Sequence, residues 1–367
     1  MKFIFTINRM KAGSGGAQKV VSLLCNSIAE KNHDVLLILY EDRTDMDYYI
    51  SDKVSISVLP KRNAGENILR YALRKLLYLR KSVFSFNPDI IVPFLADQTF
   101  YIFLATLFSK FNTRIITTVR NNPKLFPKQK KYRWRNNVLI ALSKAVFFQN
   151  DEQKKYFPLF IQKKSFVLPN PVSDELLFSV REKLDLNKLV TLGRLNDQKN
   201  QMMLIEAIST IKTKFPDISL DIYGEGELEA KLEAKIIELK LEKNVHLCGI
   251  TNDVKSVLLS HGLFVMTSNY EGMPNALIEA MATGMPCIST DCPTGPSDLI
   301  KNYQNGLLVP MHDIKKCASA IEYMIDNKER AISMGLQAQI DIREKLACET
   351  ISRRFISNCK VFIMDRK

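Results

Sequence analysis

Short apolar runs alternate with longer amphipathic segments along almost the whole chain. Runs such as KFIFTIN (2–8) and DVLLILY (34–40) are almost entirely apolar, as expected for strands of a parallel sheet covered on both faces. Between them, AQKVVSLLCNSIAEK (17–31) places its apolar residues at helical spacing. The alternation predicts an α/β protein built from parallel sheets and covering helices.

The predicted strands form two series. The first series comprises residues 2–8, 34–40, 54–59, 89–95, 114–119, 145–150 and 165–172. The second comprises residues 189–195, 219–224, 244–249, 263–268, 286–290 and 306–310. Proline and asparagine interrupt the pattern between the two series, in PNPVSDELL (169–177).

Two such series predict two Rossmann-like, doubly wound domains that face each other. Ligands of these folds bind at the carboxyl ends of the strands, so we expect a cleft between the two sheets. We assign residues 1–172 to an N-terminal domain and residues 173–345 to a C-terminal domain. Residues 346–367 are predicted to form a helix that packs back on the N-terminal domain.

The composition is that of an ordinary globular protein, with 46% hydrophobic and 25% charged residues among 367. No apolar run reaches the roughly 20 residues that a membrane-spanning helix requires. The start, MKFIFTINRM, predicts a first strand better than a signal peptide. Seven scattered cysteines without a C-x-x-C pair indicate reduced thiols and a cytoplasmic location.

The net charge of +13 is unevenly distributed. Residues 1–173 contain 28 Lys and Arg against 12 Asp and Glu, a net +16, and the remainder contains 24 against 27, a net −3. Two stretches, 61–81 and 124–137, interleave cations with leucines and aromatic rings. Either stretch alone is better explained as the solvated basic face of an ordinary helix. Together they indicate a negatively charged partner, either an anionic membrane surface or nucleic acid.

The loop after the first strand, NRMKAGSGGAQKV, is rich in glycine. Its glycines are Gly13, Gly15 and Gly16. Glycine lets the backbone approach a ligand, and the following helix start favours a phosphate. The loop is not a G-x-G-x-x-G motif, because Gln18 occupies the last position. Glu41 and Asp42 after the second strand keep a dinucleotide interpretation open, and a simple tight turn is equally compatible.

The first loop of the second domain carries two cations, Arg194 and Lys199, in LGRLNDQKN. At the carboxyl edge of the sheet they can neutralise a diphosphate, a task that a metal ion performs in other enzymes. Two ordinary surface cations are the alternative interpretation.

The segment SNYEGMPNALIEAMATG (268–284) predicts a helix that begins near Asn275, with Pro274 in its first turn. The backbone N–H groups at such a helix start can bind an anion. These groups belong to Gly272, Met273, Asn275 and Ala276. Glu279, about one turn inside the helix, is placed to accept two ribose hydroxyls, and Glu271 before the helix faces a sugar or reaction centre.

EGMPNALIE resembles the E-x7-E motif of the retaining glycosyltransferases of family four, which have the GT-B fold. Segments similar to the family follow in order along nearly the whole chain. They are GSGGAQKVV, VLPNPV, LGRLNDQKN, YGEGELEAKL, HLCGITNDV and NGLLVP, the last followed by Asp313. The resemblance implies a retaining transferase that uses a nucleotide sugar and needs no metal or other cofactor.

The resemblance also implies roles for the domains and for individual residues. It makes residues 1–172 the acceptor-binding domain, which the basic stretches also make membrane-facing, and residues 173–345 the nucleotide-sugar-binding domain. Arg194 and Lys199 hold the donor diphosphate, Glu279 binds the ribose, and Glu271 contacts the donor sugar and stabilises the reacting centre. The remaining donor-binding positions are Gly15, Gly16, Gly224, Gly272, Met273, Asn275 and Ala276. In the mechanism usually proposed for the family, the leaving diphosphate accepts the proton of the acceptor on the same face of the sugar.

One departure concerns the acceptor side. Many relatives place a histidine after the fourth or fifth strand of the first domain, where this chain reads TTVRNNP. We therefore expect no histidine base, and we assign acceptor binding to Arg120 and Asn121. The acidic triplet DMD (45–47) carries little weight as a metal site, and Asp298 has no assigned role.

The expected protein is a cytoplasmic transferase, peripheral on the inner face of the plasma membrane. It adds a hexose or N-acetylhexosamine to a lipid-diphosphate-linked glycan in bacterial surface polysaccharide synthesis (O-antigen, lipopolysaccharide or capsule), with a UDP-sugar favoured over GDP-mannose and no nucleic acid expected. Three alternatives remain. An NAD(P) dehydrogenase would leave Arg194, Lys199 and Glu271 unexplained, a sugar-nucleotide epimerase would need no acceptor, and a non-catalytic binding protein would use the basic half alone.

Overall fold

The computed structural model describes residues 1–12, 15–127, 129–181 and 184–364. The chain divides into two compact units. Unit 1 comprises Met1–Pro171 and Cys348–Lys367, and unit 2 comprises Val172–Ala347. Gly13, predicted to lie in the first glycine-rich loop, is outside the described residues.

The strands of unit 1 are parallel. They are β1 (Lys2–Ile7), β2 (Asp34–Leu39), β3 (Val54–Val58), β4 (Ile90–Pro93), β5 (Ile116–Val119), β6 (Ala145–Phe148) and β7 (Ser165–Val167). They pair in the orders β3-β2-β1-β4 and β5-β6-β7. A parallel bridge between Ile91 and Ile115 joins the two groups beside β4 and β5.

The strands of unit 2 are also parallel. They are β8 (Lys188–Leu192), β9 (Ser219–Tyr223), β10 (Val245–Gly249), β11 (Leu263–Met266), β12 (Cys287–Thr290) and β13 (Leu307–Val309). They form one sheet in the order β10-β9-β8-β11-β12-β13. The strand order reverses between β8 and β11, which is the position where doubly wound folds bind ligands.

Helices follow most strands, as parallel pairing requires. They are α1 (Gly16–Glu30), α2 (Ile68–Phe86), α3 (Ala96–Ala105), the 3-10 helix Lys110–Arg114, α4 (Lys130–Leu142), α5 (Asp151–Lys155), α6 (Leu159–Lys163), α7 (Asp174–Leu177), α8 (Gln201–Ile211), α9 (Glu229–Glu238), α10 (Val254–Ser260), α11 (Asn275–Ala282), α12 (Pro296–Leu299), α13 (Ile314–Asp326), α14 (Lys328–Leu346) and α15 (Cys348–Met364).

Unit 1 has a helical layer on each face of its sheet because successive strand residues point to opposite faces. On one face, Phe3 and Phe5 of β1 pack against Phe355 of α15, each with ring centroids 5.7 Å apart. A hydrogen bond of 2.8 Å between Ser27 and Ser352 joins α1 to α15 on the same face. On the other face, Ile4 belongs to a buried cluster with residues of α2, α3 and α4.

Every predicted strand is present and shorter than predicted, and two of the differences have identifiable reasons. The strand predicted at 165–172 ends at Val167, because Pro169 and Pro171 lack the N–H that a ladder needs. The strand predicted at 114–119 begins at Ile116, since the preceding residues form the 3-10 helix. All seven cysteines are free thiols.

Candidate active site

The first side of the site is the loop between β8 and α8. Gly193 continues from β8 with a φ of 156°, and Arg194 next to it is exposed. The Gln201 side chain donates to the Arg194 carbonyl at 3.0 Å. Asn200 adopts the left-handed conformation, with a φ of 48°, just before α8 begins. The loop is thereby anchored at both ends, and Lys199 is near its end.

The loop after β9 packs directly against this first loop. A Cβ atom on Gly224 would lie 2.0 Å from the Gly193 carbonyl oxygen, and one on Gly226 would lie 2.2 Å from the Leu195 carbonyl oxygen. No side chain fits at such distances. Close contact between backbones therefore requires glycine at position 224, and the donor-binding role predicted for Gly224 stays a prediction.

The second side of the site is the loop between β11 and α11, which is tied to the first loop by hydrogen bonds. Gln198 Nε2 donates to the Tyr270 carbonyl at 3.0 Å, and the Asn269 N–H donates to the Gln198 carbonyl at 2.8 Å. Thr267 Oγ1 donates to the Asn200 carbonyl at 2.9 Å. These bonds fix the two loops relative to each other at the point where the strand order reverses.

Lys199 and Glu271 meet across these two loops. Lys199 Nζ lies 2.6 Å from Glu271 Oε1, with 17% of the lysine and 6% of the glutamate side chain exposed. Ser268 Oγ donates to the same carboxylate oxygen at 2.7 Å. Charge-assisted bonds at low exposure are strong and directional. The carboxylate of Glu271 is therefore held in one orientation.

The charge of Glu271 is also felt by a neighbouring thiol. Cys292, which follows β12, is buried, and its pKa is raised to about 12 by burial and then by the charge of Glu271, while Lys199 lowers it. This thiol stays protonated and uncharged near neutral pH. Cys292 therefore contributes an uncharged side chain near the Lys199–Glu271 ion pair rather than a nucleophile.

The loop after β12 also contacts Glu271. Thr294 Oγ1 donates to the Glu271 carbonyl. Gly295 has a φ of 98°, and a Cβ there would lie 2.8 Å from Pro274 Cδ. Asp298, whose role was open, accepts a hydrogen bond of 3.3 Å from the Gly295 N–H at the start of α12. It is exposed, and this contact gives it a capping role.

Helix α11 begins at Asn275, as predicted, but Pro274 is its N-cap residue instead of lying in the first turn. Its φ of −79° and ψ of 102° are extended, because the residue that precedes a helix keeps non-helical angles. Gly272 and Met273 are buried in the turn, and Ala276 is half-buried in the first turn of the helix. Glu279 lies one turn further and is 7% exposed.

Unit 1 carries the other predicted ligand residues. Gly15 is the N-cap of α1, with a φ of 152°, and Gly16 is the first residue of that helix. A Cβ on Gly15 would lie 3.2 Å from Gln18 Oε1. A glycine here allows the extended positive-φ turn that leads from the first loop into α1.

Arg120 follows β5 and is a partly buried cation. Its Nη2 donates to Asn170 Oδ1 at 2.5 Å, and its guanidinium lies 4.6 Å from the centroid of the Phe94 ring. Burial lowers the pKa of the guanidinium well below its ordinary value. In the described part of the chain no carboxylate forms an ion pair with it.

The network around Arg120 consists of neutral amides. Asn170 Oδ1 also accepts from Gln149 Nε2 at 2.9 Å. The Asn121 carbonyl accepts from Gln153 Nε2 at 3.3 Å, and its side-chain oxygen accepts from the Asn122 N–H at 2.8 Å. Amides orient the guanidinium without neutralising its charge.

His33, His246 and His261 each contact a polar group other than Lys199, Glu271 and Arg120. His33 Nδ1 lies 3.1 Å from the N-terminal amine. His246 and His261 each lie 3.0 Å from a carboxylate oxygen of Asp221, and His261 holds the pKa of Asp221 below its usual value. His312 has a positive φ of 59°.

The described residues contain neither a metal-binding cluster nor a membrane-spanning helix. Among residues 1–12, 15–127, 129–181 and 184–364, no group of three His, Cys, Asp or Glu side chains is arranged to hold a metal ion. Within the same ranges no helix combines the length and the apolar character needed to cross a bilayer.

The structure brings Lys199 and Glu271 into direct contact and places Arg194, Gly224 and Glu279 on the loops and helix of the same unit. Sequence reasoning missed Ser268 and Thr294, which hold Glu271, and Asn170, which holds Arg120. Short polar residues after strands are common, so no sequence signal distinguished these three.

Both units match family models. Residues 14–176 match the model described as Glycosyltransferase Family 4, and residues 172–340 match the one described as Glycosyl transferases group 1. An uncharacterized glycosyltransferase of Methanocaldococcus jannaschii is 30% identical over 276 residues, 68% of this chain and 67% of that protein.

Two further proteins are similar over nearly the whole chain. A Campylobacter jejuni α-1,4-N-acetyl-D-galactosaminyltransferase, named for a PP-undecaprenol-linked GalNAc glycan, is 27% identical over 332 residues, 89% of this chain and 90% of that one. The crystal structure of Anabaena HepE with UDP and glucose has a TM-score of 0.82 at 17% identity, covering 98% of this chain and 99% of that one.

The fold and these matches define a glycosyltransferase with the GT-B fold. The chain belongs to the glycosyltransferase family 4, within the glycosyl transferases group 1. The dehydrogenase, epimerase and non-catalytic alternatives are therefore discarded.

Proposed function

We propose that this transferase moves a hexose or N-acetylhexosamine from a UDP-sugar to a lipid-diphosphate-linked glycan, with retention of the anomeric configuration and without a metal ion. GDP-mannose is the second candidate donor. The reaction would serve surface polysaccharide synthesis at the inner face of the plasma membrane. The observation that carries the proposal is the buried contact of 2.6 Å between Lys199 and Glu271 at the switch point of unit 2.

The donor diphosphate is assigned to Arg194 and Lys199. Arg194 is exposed, and in the described residues its guanidinium forms no ion pair or hydrogen bond, so all its donors remain available to phosphate oxygens. Lys199 approaches from the same loop. Two cations on this loop would stabilise the charge that develops on the leaving diphosphate, which supports a reaction that needs no metal.

The nucleoside is assigned to the α11 side of the site. Glu279 is 7% exposed one turn inside α11, and its carboxylate can accept hydrogen bonds from two ribose hydroxyls. The helix start at residues 272–276 adds its positive dipole end for the phosphates. Support for UDP comes from HepE, whose crystal structure contains UDP.

Glu271 is assigned to the reacting centre. As the bond from the anomeric carbon to the diphosphate oxygen breaks, positive charge grows on the sugar, and a fixed carboxylate stabilises it. The acceptor oxygen forms the new bond on the same face, and its proton passes to the departing diphosphate oxygen. Retention follows in this scheme, and it rests on the family resemblance of EGMPNALIE.

The acceptor is assigned to Arg120 and Asn121 in unit 1. Arg120 is partly buried, its polar and aromatic partners among the described residues are the Asn170 amide and the Phe94 ring, and such a guanidinium favours an anionic ligand such as a diphosphate. The name of the Campylobacter jejuni relative, which includes PP-undecaprenol, supports an acceptor of this chemical class. The basic first half supports a membrane location for the enzyme.

The test measures UDP or GDP release from a panel of nucleotide sugars, with and without a lipid extract and with EDTA present. We expect release from one donor, stimulated by the extract, unaffected by EDTA and reduced at least about 100-fold in Glu271→Ala. The matched control is Glu322→Ala, because Glu322 is an ion-paired glutamate elsewhere in unit 2.

A different result would contradict each part of the proposal. Loss of release in EDTA, restored by a divalent ion, contradicts metal independence. Equal release by the wild type and Glu271→Ala contradicts the role of the acid. The anomeric coupling of the product sugar in NMR, compared with that of the donor, decides between retention and inversion.

A further inference from the structure

Helices α2, α3 and α4 form one layer on one face of the sheet of unit 1. Leu79 and Val83 of α2, Ile102 of α3 and Leu139 of α4 belong to a single buried cluster. Their inward residues therefore pack together on the same side of the sheet, and their outward residues form one continuous surface. We call this outward side the α2–α4 surface.

On α2 the outward side carries leucines. Leu69, Leu73 and Leu77 are spaced by four residues, and 79%, 56% and 56% of them are exposed. Arg70 and Lys81 are exposed beside them. A helix of a soluble protein normally presents polar residues to water. Here an apolar stripe faces outward with cations along it.

Helix α4 repeats the arrangement with an aromatic ring. Trp134, Val138 and Leu142 are again spaced by four residues, with 72%, 37% and 63% exposed. The exposed Lys131 lies one turn before Trp134. Tryptophan, leucine and lysine together are typical of helices that lie at a membrane interface.

The turn between α3 and the 3-10 helix adds a third apolar group. Phe108 is 96% exposed and has a φ of 58°, a conformation that bulky residues rarely adopt. Beside it is an open pocket of about 490 Å³ whose lining includes Arg80, Phe84 and Lys110. Two cations and aromatic walls suit a lipid phosphate with the start of its acyl chain.

The charge of this region is strongly one-sided. Residues 67–142 contain 14 Lys and Arg and two acids, Asp89 and Asp97, a net +12. This segment contains all three helices and the turn. Such a field attracts anionic lipids and repels a second copy of the same surface.

We propose that the α2–α4 surface docks on a bilayer that contains anionic phospholipids. The leucine stripe of α2, Phe108 and the stripe of α4 insert at the level of the head groups, and the surrounding cations pair with lipid phosphates. The apolar stripes argue against nucleic acid, which is bound through cations and stacked bases without exposed leucines. The inference rests on the proposed function for the lipid-linked acceptor, but membrane binding is measured without any transfer reaction.

The test is cosedimentation of the full chain with phosphatidylcholine vesicles, with and without phosphatidylglycerol. We expect binding to the anionic vesicles, weakened when salt is raised from about 0.1 M to about 0.5 M. The apolar variant combines Leu73→Ser, Leu77→Ser, Phe108→Ser and Trp134→Ser. We expect it to bind at least about tenfold more weakly at either salt concentration.

A charge variant separates the two contributions. Arg70→Gln, Lys81→Gln and Lys131→Gln together should weaken binding to anionic vesicles about tenfold or more, and should leave the weak binding to neutral vesicles unchanged. The matched controls are in unit 2. Leu336→Ser with Ile340→Ser removes an exposed apolar pair, and Lys231→Gln with Lys328→Gln removes exposed cations. Thermal unfolding checks that every variant is folded.

Several results would overturn the proposal. They are a wild type that does not bind anionic vesicles, and unit 2 controls that lose as much vesicle binding as the α2–α4 variants. A dimer in solution that the apolar variant abolishes, or nucleic acid that displaces the vesicles, would also overturn it. Nucleotide release with a detergent-soluble acceptor tests the proposed reaction without vesicles, so the two proposals can fail separately. A wild type that binds vesicles but releases no nucleotide leaves the docking surface standing and removes the proposed reaction.

Discussion

Each unit holds a sheltered cation near the carboxyl ends of its parallel strands, but the two cations have different partners. Lys199 in unit 2 contacts the carboxylate of Glu271 at 2.6 Å. Arg120 in unit 1 contacts a neutral amide, Asn170, and the ring of Phe94. The first cation has a carboxylate as its counter-charge, whereas none of the described residues supplies one to the second.

The difference indicates two ways of preparing a binding site. A paired cation leaves little net charge buried, so the pair organises the site at small cost to folding. A desolvated cation without a counter-charge lowers stability, as its depressed pKa indicates. An anionic ligand at Arg120 would supply the missing charge and recover that free energy. Three substitutions test the comparison.

The largest effect is expected for Lys199→Met. It leaves Glu271 buried without its cation, which should lower the free energy of unfolding by about 3 kcal/mol. Chemical denaturation monitored by circular dichroism measures the change. The control is Lys214→Met, because Lys214 is half exposed in its ion pairs with Glu322 and Asp326, and exposed ion pairs contribute little to stability. Equal losses of stability in both variants would mean that the Lys199–Glu271 pair behaves energetically like a surface pair.

The opposite sign is expected for Arg120→Met. Removing an uncompensated cation should raise the free energy of unfolding by about 1 kcal/mol. The same change should raise the KM for a lipid-diphosphate acceptor about tenfold and leave the KM for the donor unchanged.

Arg181 provides the matched control for this variant. It is also a sheltered arginine, but it donates to the carbonyls of Leu258, Leu259 and His261. Arg181→Met should therefore lower stability and leave the acceptor KM unchanged. A destabilised Arg120→Met with an unchanged acceptor KM would show that Arg120 is structural.

The smallest effect is expected for Asn170→Asp, which gives Arg120 a carboxylate inside the protein. Near neutral pH the free energy of unfolding should rise by about 1 kcal/mol, and the acceptor KM should rise about fivefold. The pKa of the new carboxyl is expected to be depressed by Arg120. The gain in stability is then present above the ordinary pKa of aspartate and is lost as the pH falls through the depressed value.

Denaturation curves across the acidic range measure this dependence. The double variant Arg120→Met with Asn170→Asp is the control, because it buries a carboxylate without its cation and should be less stable than either single variant. A gain that persists at low pH would contradict an ion pair as its cause.

Sequence periodicity predicted the strands of both units because buried parallel strands are apolar along their whole length. The start of α11 at Asn275 was also predictable, since glycine and proline before an amphipathic run mark a helix start. The N-cap position of Pro274 was missed, as single-residue boundaries depend on local angles. The backbone contact at Gly224, where a Cβ would lie 2.0 Å from the Gly193 carbonyl oxygen, was not predictable, because it joins two loops distant in the chain.

The sequence by itself determined the two-unit α/β fold, the family and the uneven charge, because periodicity, motif order and composition are local properties of the chain. The tertiary structure alone decided that Ser268 and Lys199 share one oxygen of Glu271, and that an amide faces Arg120. It also decided which leucines of α2 face water. The contacts of Glu271 and Arg120 join residues far apart in the chain, and the exposure of the leucines depends on which helix face packs inward. Spacing along the sequence therefore specifies neither.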